Sequence, residues 1–237
     1  GTWYSNLTKQ SVSTAWYGSS YQVGLRTPAN RVEVVTGAES SNHFDFAYDG
    51  STLYLAYYDG DAGYLTLVRN TDPINSPSSW SAGVQLDAGA GLYPTIELDP
   101  NGGIHIAYYD GSRSNLKYVY LDSFTDTPEP VVVDDLFTNG QYTSMAIREF
   151  GVNDYRPIIT NYSLSYAGTK YSLRLAYPMN AVSGHEDGAN VATGEYTGDW
   201  EMIPVLADMA PGQNNTFTFV EGAGDDPVVG YSGAYVE

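Results

Sequence analysis

No cysteine occurs anywhere in the chain. Disulfide staples and thiolate chemistry are therefore both excluded, although the compartment is not, because many exported proteins carry no disulfide. Positive charge is also scarce. Lys and Arg total 10 against 28 Asp and Glu, a formal net charge of −18. Such a chain has no basic stripe with which to displace counterions from a phosphate backbone or to approach anionic headgroups, so neither nucleic acid binding nor membrane association is expected. Its acidity serves solubility through self-repulsion, and its clustered carboxylates offer places for a cation. No apolar run approaches the ~18–20 residues that would span a bilayer. No window has the period of a long amphipathic helix, and no signal-peptide pattern opens the chain. The strand-like start at Gly1 leads to the expectation that any targeting segment is already removed and that the protein is extracellular or on the cell surface.

What the chain has in quantity is tyrosine, glycine and proline, at 22, 25 and 12 residues. Tyrosine suits pleated, half-buried surfaces, while glycine and proline punctuate turns. Five strand-like runs end on a tyrosine beside a turn, at Tyr17, Tyr58, Tyr109, Tyr162 and Tyr231, in steps of 41, 51, 53 and 69 residues. Repetition near 40–50 residues with strand content is the signature of propeller blades. The third unit gives the pattern most cleanly. Tyr93–Asp99 alternates apolar and polar residues, Pro100-Asn101-Gly102-Gly103 turns, and Ile104–Tyr109, Leu116–Leu121 and Pro130–Val133 complete a four-stranded meander.

The sequence thus predicts an all-β fold, a β-propeller of four-stranded antiparallel blades, as a single domain over residues 1–237. The blades are expected at about 1–36, 43–86, 93–133, 142–206 and 215–237. The last is one strand short, so the chain is either a five-bladed ring with an incomplete blade or a fragment of a larger propeller. Ala234–Val236 would be its outer edge, and an unpaired edge invites strand addition from another chain, with Gly1–Tyr4 as an alternative cover.

The run Tyr93-Pro94-Thr95-Ile96-Glu97-Leu98-Asp99-Pro100-Asn101-Gly102-Gly103-Ile104-His105-Ile106-Ala107-Tyr108-Tyr109 resembles the sialidase-like (BNR-type) propeller repeats of bacterial exported and surface proteins. The resemblance implies a fold and not a function. The Asp-box of many sialidase blades is matched by no turn, Asp49-Gly50-Ser51 and Asp110-Gly111-Ser112 sharing only its Asp-Gly. A sialidase also needs three convergent arginines, whereas Arg26, Arg69 and Arg174 are placed on third strands, away from the axis.

Two chemistries remain. Propeller glycosidases use paired carboxylates as acid and base, and Asp45 and Glu97 are acidic residues placed inside innermost strands, at near-equivalent positions of neighbouring blades. Asp49, Asp99, Glu149 and Glu221 fall where turns begin, and there aspartate ordinarily bonds its own backbone. The second chemistry is recognition. Tyr17, Tyr58, Tyr109, Tyr162 and Tyr231, with Asp59 and Asp110, are expected on the face of the blade-to-blade crossings, where they would stack on sugar rings and bond their hydroxyls. The expected function is a non-catalytic recognition or adhesion module, or a structural subunit of a surface assembly, with a glycan or protein partner; the alternative is a glycoside hydrolase using Asp45 and Glu97. No cofactor is expected. A structural calcium has its best place at Asp59-Gly60-Asp61, but Gly63 and Asn70 stand where an EF-hand loop needs its later ligands.

Overall fold

The computed structural model describes residues 2–4, 11–17, 20–26, 31–35, 43–135, 138–164, 171–178, 200–209, 215–220 and 228–233, with side chains for 43–135, 138–163, 173–178 and 200. All described secondary structure is strand, in five successive antiparallel sheets. The first holds β1 (Thr2–Tyr4), β2 (Ser11–Tyr17), β3 (Ser20–Arg26) and β4 (Arg31–Val35). The second holds β5 (Phe44–Tyr48), β6 (Leu53–Asp59), β7 (Tyr64–Asn70) and β8 (Val84–Ala88). The third holds β9 (Leu92–Leu98), β10 (Ile104–Asp110), β11 (Asn115–Leu121) and β12 (Val131–Asp134). The fourth holds β13 (Thr138–Gly151), β14 (Asp154–Leu164), β15 (Tyr171–Pro178) and β16 (Trp200–Met209), and the fifth β17 (Asn215–Val220) and β18 (Val228–Gly233). Each four-stranded sheet is a simple meander in chain order, the form of a propeller blade.

Period-two alternation explains why blades stack. On β10, Ile104, Ile106 and Tyr108 enter one core with Ala56, Leu65 and Leu67 of the second blade. Ala107, between them, enters another with Leu116, Tyr118 and the fourth blade's Met145 and Ile159. Successive side chains point to opposite faces of a strand, so β10 is buried along its whole length. Adjacent blades meet along their first strands, β5 against β9 and β9 against β13, as strands lining an axis must.

The turns repeat one device. Asp49, Asp59, Asp99 and Asp110 each accept bonds from backbone amides two or more residues on, for example Gly103 N to Asp99 Oδ1 at 2.9 Å. The fourth blade departs from expectation. Its first hairpin outruns the expected Tyr142–Arg148 and Arg156–Tyr162 in both strands, with Asn153 at φ 60° in its turn. The extension is held by Arg148 and Arg156 over the Phe150 ring and by Tyr177 stacked on it. Thr2–Tyr4 pairs with Ser11–Ser13 inside the first sheet, which occupies it as that blade's first strand. The expected strand at Ala234–Val236 lies outside the described residues.

Candidate functional site

The third and fourth blades open with the same local structure, Gly91-Leu92-Tyr93 and Gly140-Gln141-Tyr142. Both glycines have positive φ, 133° and 98°. A Cβ on Gly91 would lie 2.5 Å from Leu65 Cβ, and one on Gly140 would lie 2.9 Å from Leu116 Cα. Each glycine therefore lets the crossing chain pass against the third strand of the preceding blade. Two residues later comes a β-bulge. Tyr93 and Pro94 face only Tyr108, since Leu92 pairs with Tyr109 and Thr95 with Ala107. Likewise Tyr142 and Thr143 face only Asn161. The bulged tyrosines themselves have left-handed backbone, φ 50° at Tyr93 and 52° at Tyr142, a conformation that bulges of this kind normally give to glycine.

Bonds across both seams hold Tyr93 in that state. Its N–H donates to His43 Nδ1 at 3.3 Å, and its carbonyl accepts the Thr143 hydroxyl. Three residues of consecutive blades, His43, Tyr93 and Tyr142, form an arc. His43 and Tyr93 meet edge to face at 4.4 Å, and Tyr93 and Tyr142 meet tilted at 4.5 Å. Burial, followed by the influence of the adjacent Tyr142 hydroxyl, pushes the Tyr93 hydroxyl up to about 12. Burial lowers the His43 pKa, so its imidazole is neutral at pH 7, and acceptance at Nδ1 leaves Nε2 as the protonated nitrogen. With Phe44, Pro94 and Thr143, the arc lines an open cleft of about 240 Å³. Tyr142 is 66% exposed.

Farther along the same strands lie the two carboxyls singled out in the sequence. Asp45 Oδ2 reaches across the seam and accepts from Ile96 N at 3.0 Å and Thr95 Oγ1 at 3.3 Å. Burial outweighs those bonds and raises its pKa to about 6. Water reaches Glu97, yet protein crowds it enough for desolvation to be the main cause of a rise to about 7, with the neighbouring Asp45 charge as the second. The fold has thus brought together a pair that repels when both are ionised. Environments that separate two neighbouring carboxyls in proton affinity are the usual basis of an acid and base pair.

The second-strand tyrosines support the arc more than they line the cleft. Tyr109 is buried with its ring 6.3 Å from that of Tyr93, and Tyr162 lies 6.1 Å from Tyr142. Tyr58 is partly exposed, and its N–H donates to the His43 carbonyl at 3.0 Å. Tyr17 and Tyr231 end or lie within strands β2 and β18, and their side chains are outside the described residues. Asp59 and Asp110 use Oδ1 to close their own turns, the first on Asp61 N and Ala62 N, the second on Ser112 and Arg113 N. Asp110 is also buried, with Lys117 4.0 Å away. Asp61 is exposed at the same turn. Among the described residues no group of three or more His, Cys, Asp or Glu gathers as a metal site.

Other acidic candidates have structural work. Asp49 closes the Gly50-Ser51 turn. Asp99 accepts from its turn amides and pairs with buried His105, whose other ring nitrogen is 2.7 Å from the Tyr118 hydroxyl. Glu149 is exposed on the fourth blade's hairpin, and Glu221 is outside the described residues. Among the described residues the arginines do not converge. Arg69 lies over the Phe124 ring and Arg174 is 3.1 Å from Asp134, while Arg26 is outside the described side chains. Tyr93 and Tyr142 were missed as site residues. Their signal in the sequence is Gly-x-Tyr, repeated 49 residues apart.

No protein-family model matches the chain, and no curated protein matches it in sequence. Among solved structures the chain is similar to the endo-arabinase from Bacteroides thetaiotaomicron VPI-5482, with a TM-score of 0.51 and 10% identity, covering 100% of this chain and 93% of that one. It is also similar to part of a bifunctional GH43-CE protein of Bacteroides eggerthii, at a TM-score of 0.41 and 14% identity, covering 92% of this chain and 34% of that one. The expected resemblance to sialidase repeats is thus corrected to the coarser level. The full-length neighbour is a glycosidase of another kind, no turn in the sequence matches the Asp-box, and no sialidase-like arginine cluster occurs among the described residues. What the likeness and the four successive four-stranded meanders together establish is the fold, a β-propeller.

Proposed function

We propose that this propeller processes glycans, with Glu97 as proton donor and Asp45 as its ionised partner on the axial side of the second and third blades. The observation carrying this reading is the pair itself, two interacting carboxyls on neighbouring innermost strands with proton affinities displaced to about 6 and about 7. Between those values Asp45 is ionised while Glu97 keeps its proton, which is the state glycoside hydrolysis requires. Glu97 would transfer its proton to the glycosidic oxygen as the bond to the anomeric carbon breaks. Asp45 would take a proton from the water that adds to that carbon. The bonds from Ile96 N and Thr95 Oγ1 give Asp45 a fixed orientation for that role. The likeness to a propeller endo-arabinase supports the reading at the level of fold, and with it an extracellular or cell-surface setting.

The test is release of reducing sugar from a panel of neutral polysaccharides that includes arabinan, by the wild-type chain and by E97Q. Activity should follow a bell with limbs near pH 6 and 7. Loss of the donor should lower the rate roughly 10²–10⁴-fold. An E97Q protein as active as wild type would overturn the assignment. A second reading is a recognition or adhesion module, alone or within a surface assembly. It is favoured by the aromatic cleft and by the seam-bridging bonds of Asp45, which serve packing equally well. Glycan binding without turnover would select it.

A further inference from the structure

Tyr93 and Tyr142 share an unusual property that the carboxyl pair does not explain. Two bulky residues occupy left-handed backbone at equivalent points of adjacent blades, where glycine would sit without strain. Residues kept in such conformations cost of order 1–3 kcal/mol each and gather at ligand clamps. The bulge turns each ring out of the ladder, the His43 and Thr143 bonds fix Tyr93, and the result is an aromatic arc of which Tyr142 is 66% exposed. A glycine at either position would relax the backbone and erase the arc.

We propose that the Tyr93–Tyr142 seam is a stacking subsite for one ring of an uncharged oligosaccharide, set one to two sugars away from Asp45 and Glu97. The inference rests on the glycan-processing reading and adds to it the class of substrate. Three observations define the occupant. The cleft, at about 240 Å³, falls below the ~300–1,000 Å³ of sites that enclose a whole drug-sized ligand, so it suits one ring of a longer chain. Its lining joins ring faces to the Tyr93, Tyr142 and Thr143 hydroxyls and the His43 Nε2–H, the mixture of apolar face and polar edge that a sugar presents. It contains no Lys or Arg and belongs to a chain of net charge −18, which disfavours uronic acids, sialic acids and nucleotides.

Geometry supplies the spacing. Glu97 lies four residues beyond Tyr93, roughly 10–13 Å along a strand that rises about 3.3 Å per residue. A ring stacked on the tyrosines is too far for proton transfer, which needs hydrogen-bond reach of about 3 Å. The bond to be cleaved therefore belongs to another sugar of the chain, and a single-sugar glycoside would use the carboxyls without the platform.

The experiment titrates arabino-, xylo- and galacto-oligosaccharides of increasing length into E97Q, and into E97Q combined with Y142G or Y93G. Binding should strengthen with chain length in E97Q and weaken roughly tenfold, the weight of one aromatic contact, in either glycine variant. Y142G should melt no lower than Y142A, because glycine suits φ 52°. Equal affinities with and without the tyrosines would overturn the platform, even if wild type hydrolyses glycans. Tyrosine-dependent binding without hydrolysis by wild type would support the platform and sink the hydrolase reading. A wild-type chain that neither binds nor cleaves any neutral glycan would overturn both.

Discussion

Asp45→Asn separates the electrostatic burden of the site from its packing. The asparagine keeps the shape of the side chain and an oxygen for the Ile96 and Thr95 bonds, but removes the charge. In the folded protein the Asp45 carboxyl is raised from the ordinary 3.8 to about 6, so the fold favours the protonated form. The sign follows. The associated stability is fully present below pH 4 and is lost as pH rises through about 6. At about 1.4 kcal/mol per tenfold change in proton affinity, that loss comes to roughly 2–3 kcal/mol at pH 8. D45N does not titrate and escapes it. For a chain of this size, 1 kcal/mol moves the melting temperature by about 2–4 °C, so D45N should melt roughly 4–12 °C above wild type at pH 8. At pH 4 the two should nearly coincide. Scanning calorimetry at both values, with urea titration for the free energies, makes the measurement. A D45N protein less stable than wild type at pH 8, or displaced equally at both values, would refute the argument, since either result means that the carboxylate bonds outweigh its burial.

The same substitution should lower the pKa of Glu97 by removing the second cause of its rise, moving the alkaline limb of any remaining activity to lower pH; an unmoved limb would uncouple the pair. Gly91→Ala adds a Cβ 2.5 Å from Leu65 Cβ at φ 133° and should cost about 2–4 kcal/mol. Gly89→Ala, with nothing within 4 Å at φ 74°, should cost about 1–2 kcal/mol, and equal losses in a denaturant titration would discredit the crossing argument. Chelation by EDTA should leave the melting temperature within about 2 °C. A cation bound at a hundred times its Kd would contribute about 2.7 kcal/mol, so a fall of roughly 5–11 °C would instead establish a structural calcium.

Strands and blades were legible because alternation and turn chemistry are local. Tyr-Pro-Thr-Ile-Glu-Leu-Asp followed by Pro-Asn-Gly-Gly admits few readings other than a strand and its turn, and β9 and β10 lie there. Asp45 and Glu97 stood out because a charge inside a strand is unexplained by turn chemistry. The long hairpin of the fourth blade was hidden, since Arg148, Phe150 and Arg156 stabilise one another only once two strands are paired. Asp59 and Asp110 looked like ligands because sequence cannot show which oxygen a turn has already taken. The left-handed tyrosines were the least visible of all. Tyrosine in a strand predicts extended backbone, and only the crossing glycine and the bonds from flanking blades override that preference. The signal therefore lay in neighbours about fifty positions away.

That distance recurs throughout the site. His43 bonds Tyr93, Asp45 bonds Thr95 and Thr143 bonds Tyr93, each across 50 residues. The cleft is accordingly not the property of any one blade but of the two junctions that join three successive blades. Tandem duplication of a blade-length segment would copy no finished pocket, yet each new junction would assemble part of one from the trailing edge of one copy and the leading edge of the next. A chain built in this way acquires binding positions in proportion to its junctions, and they can diverge singly while the strands beneath them stay the same.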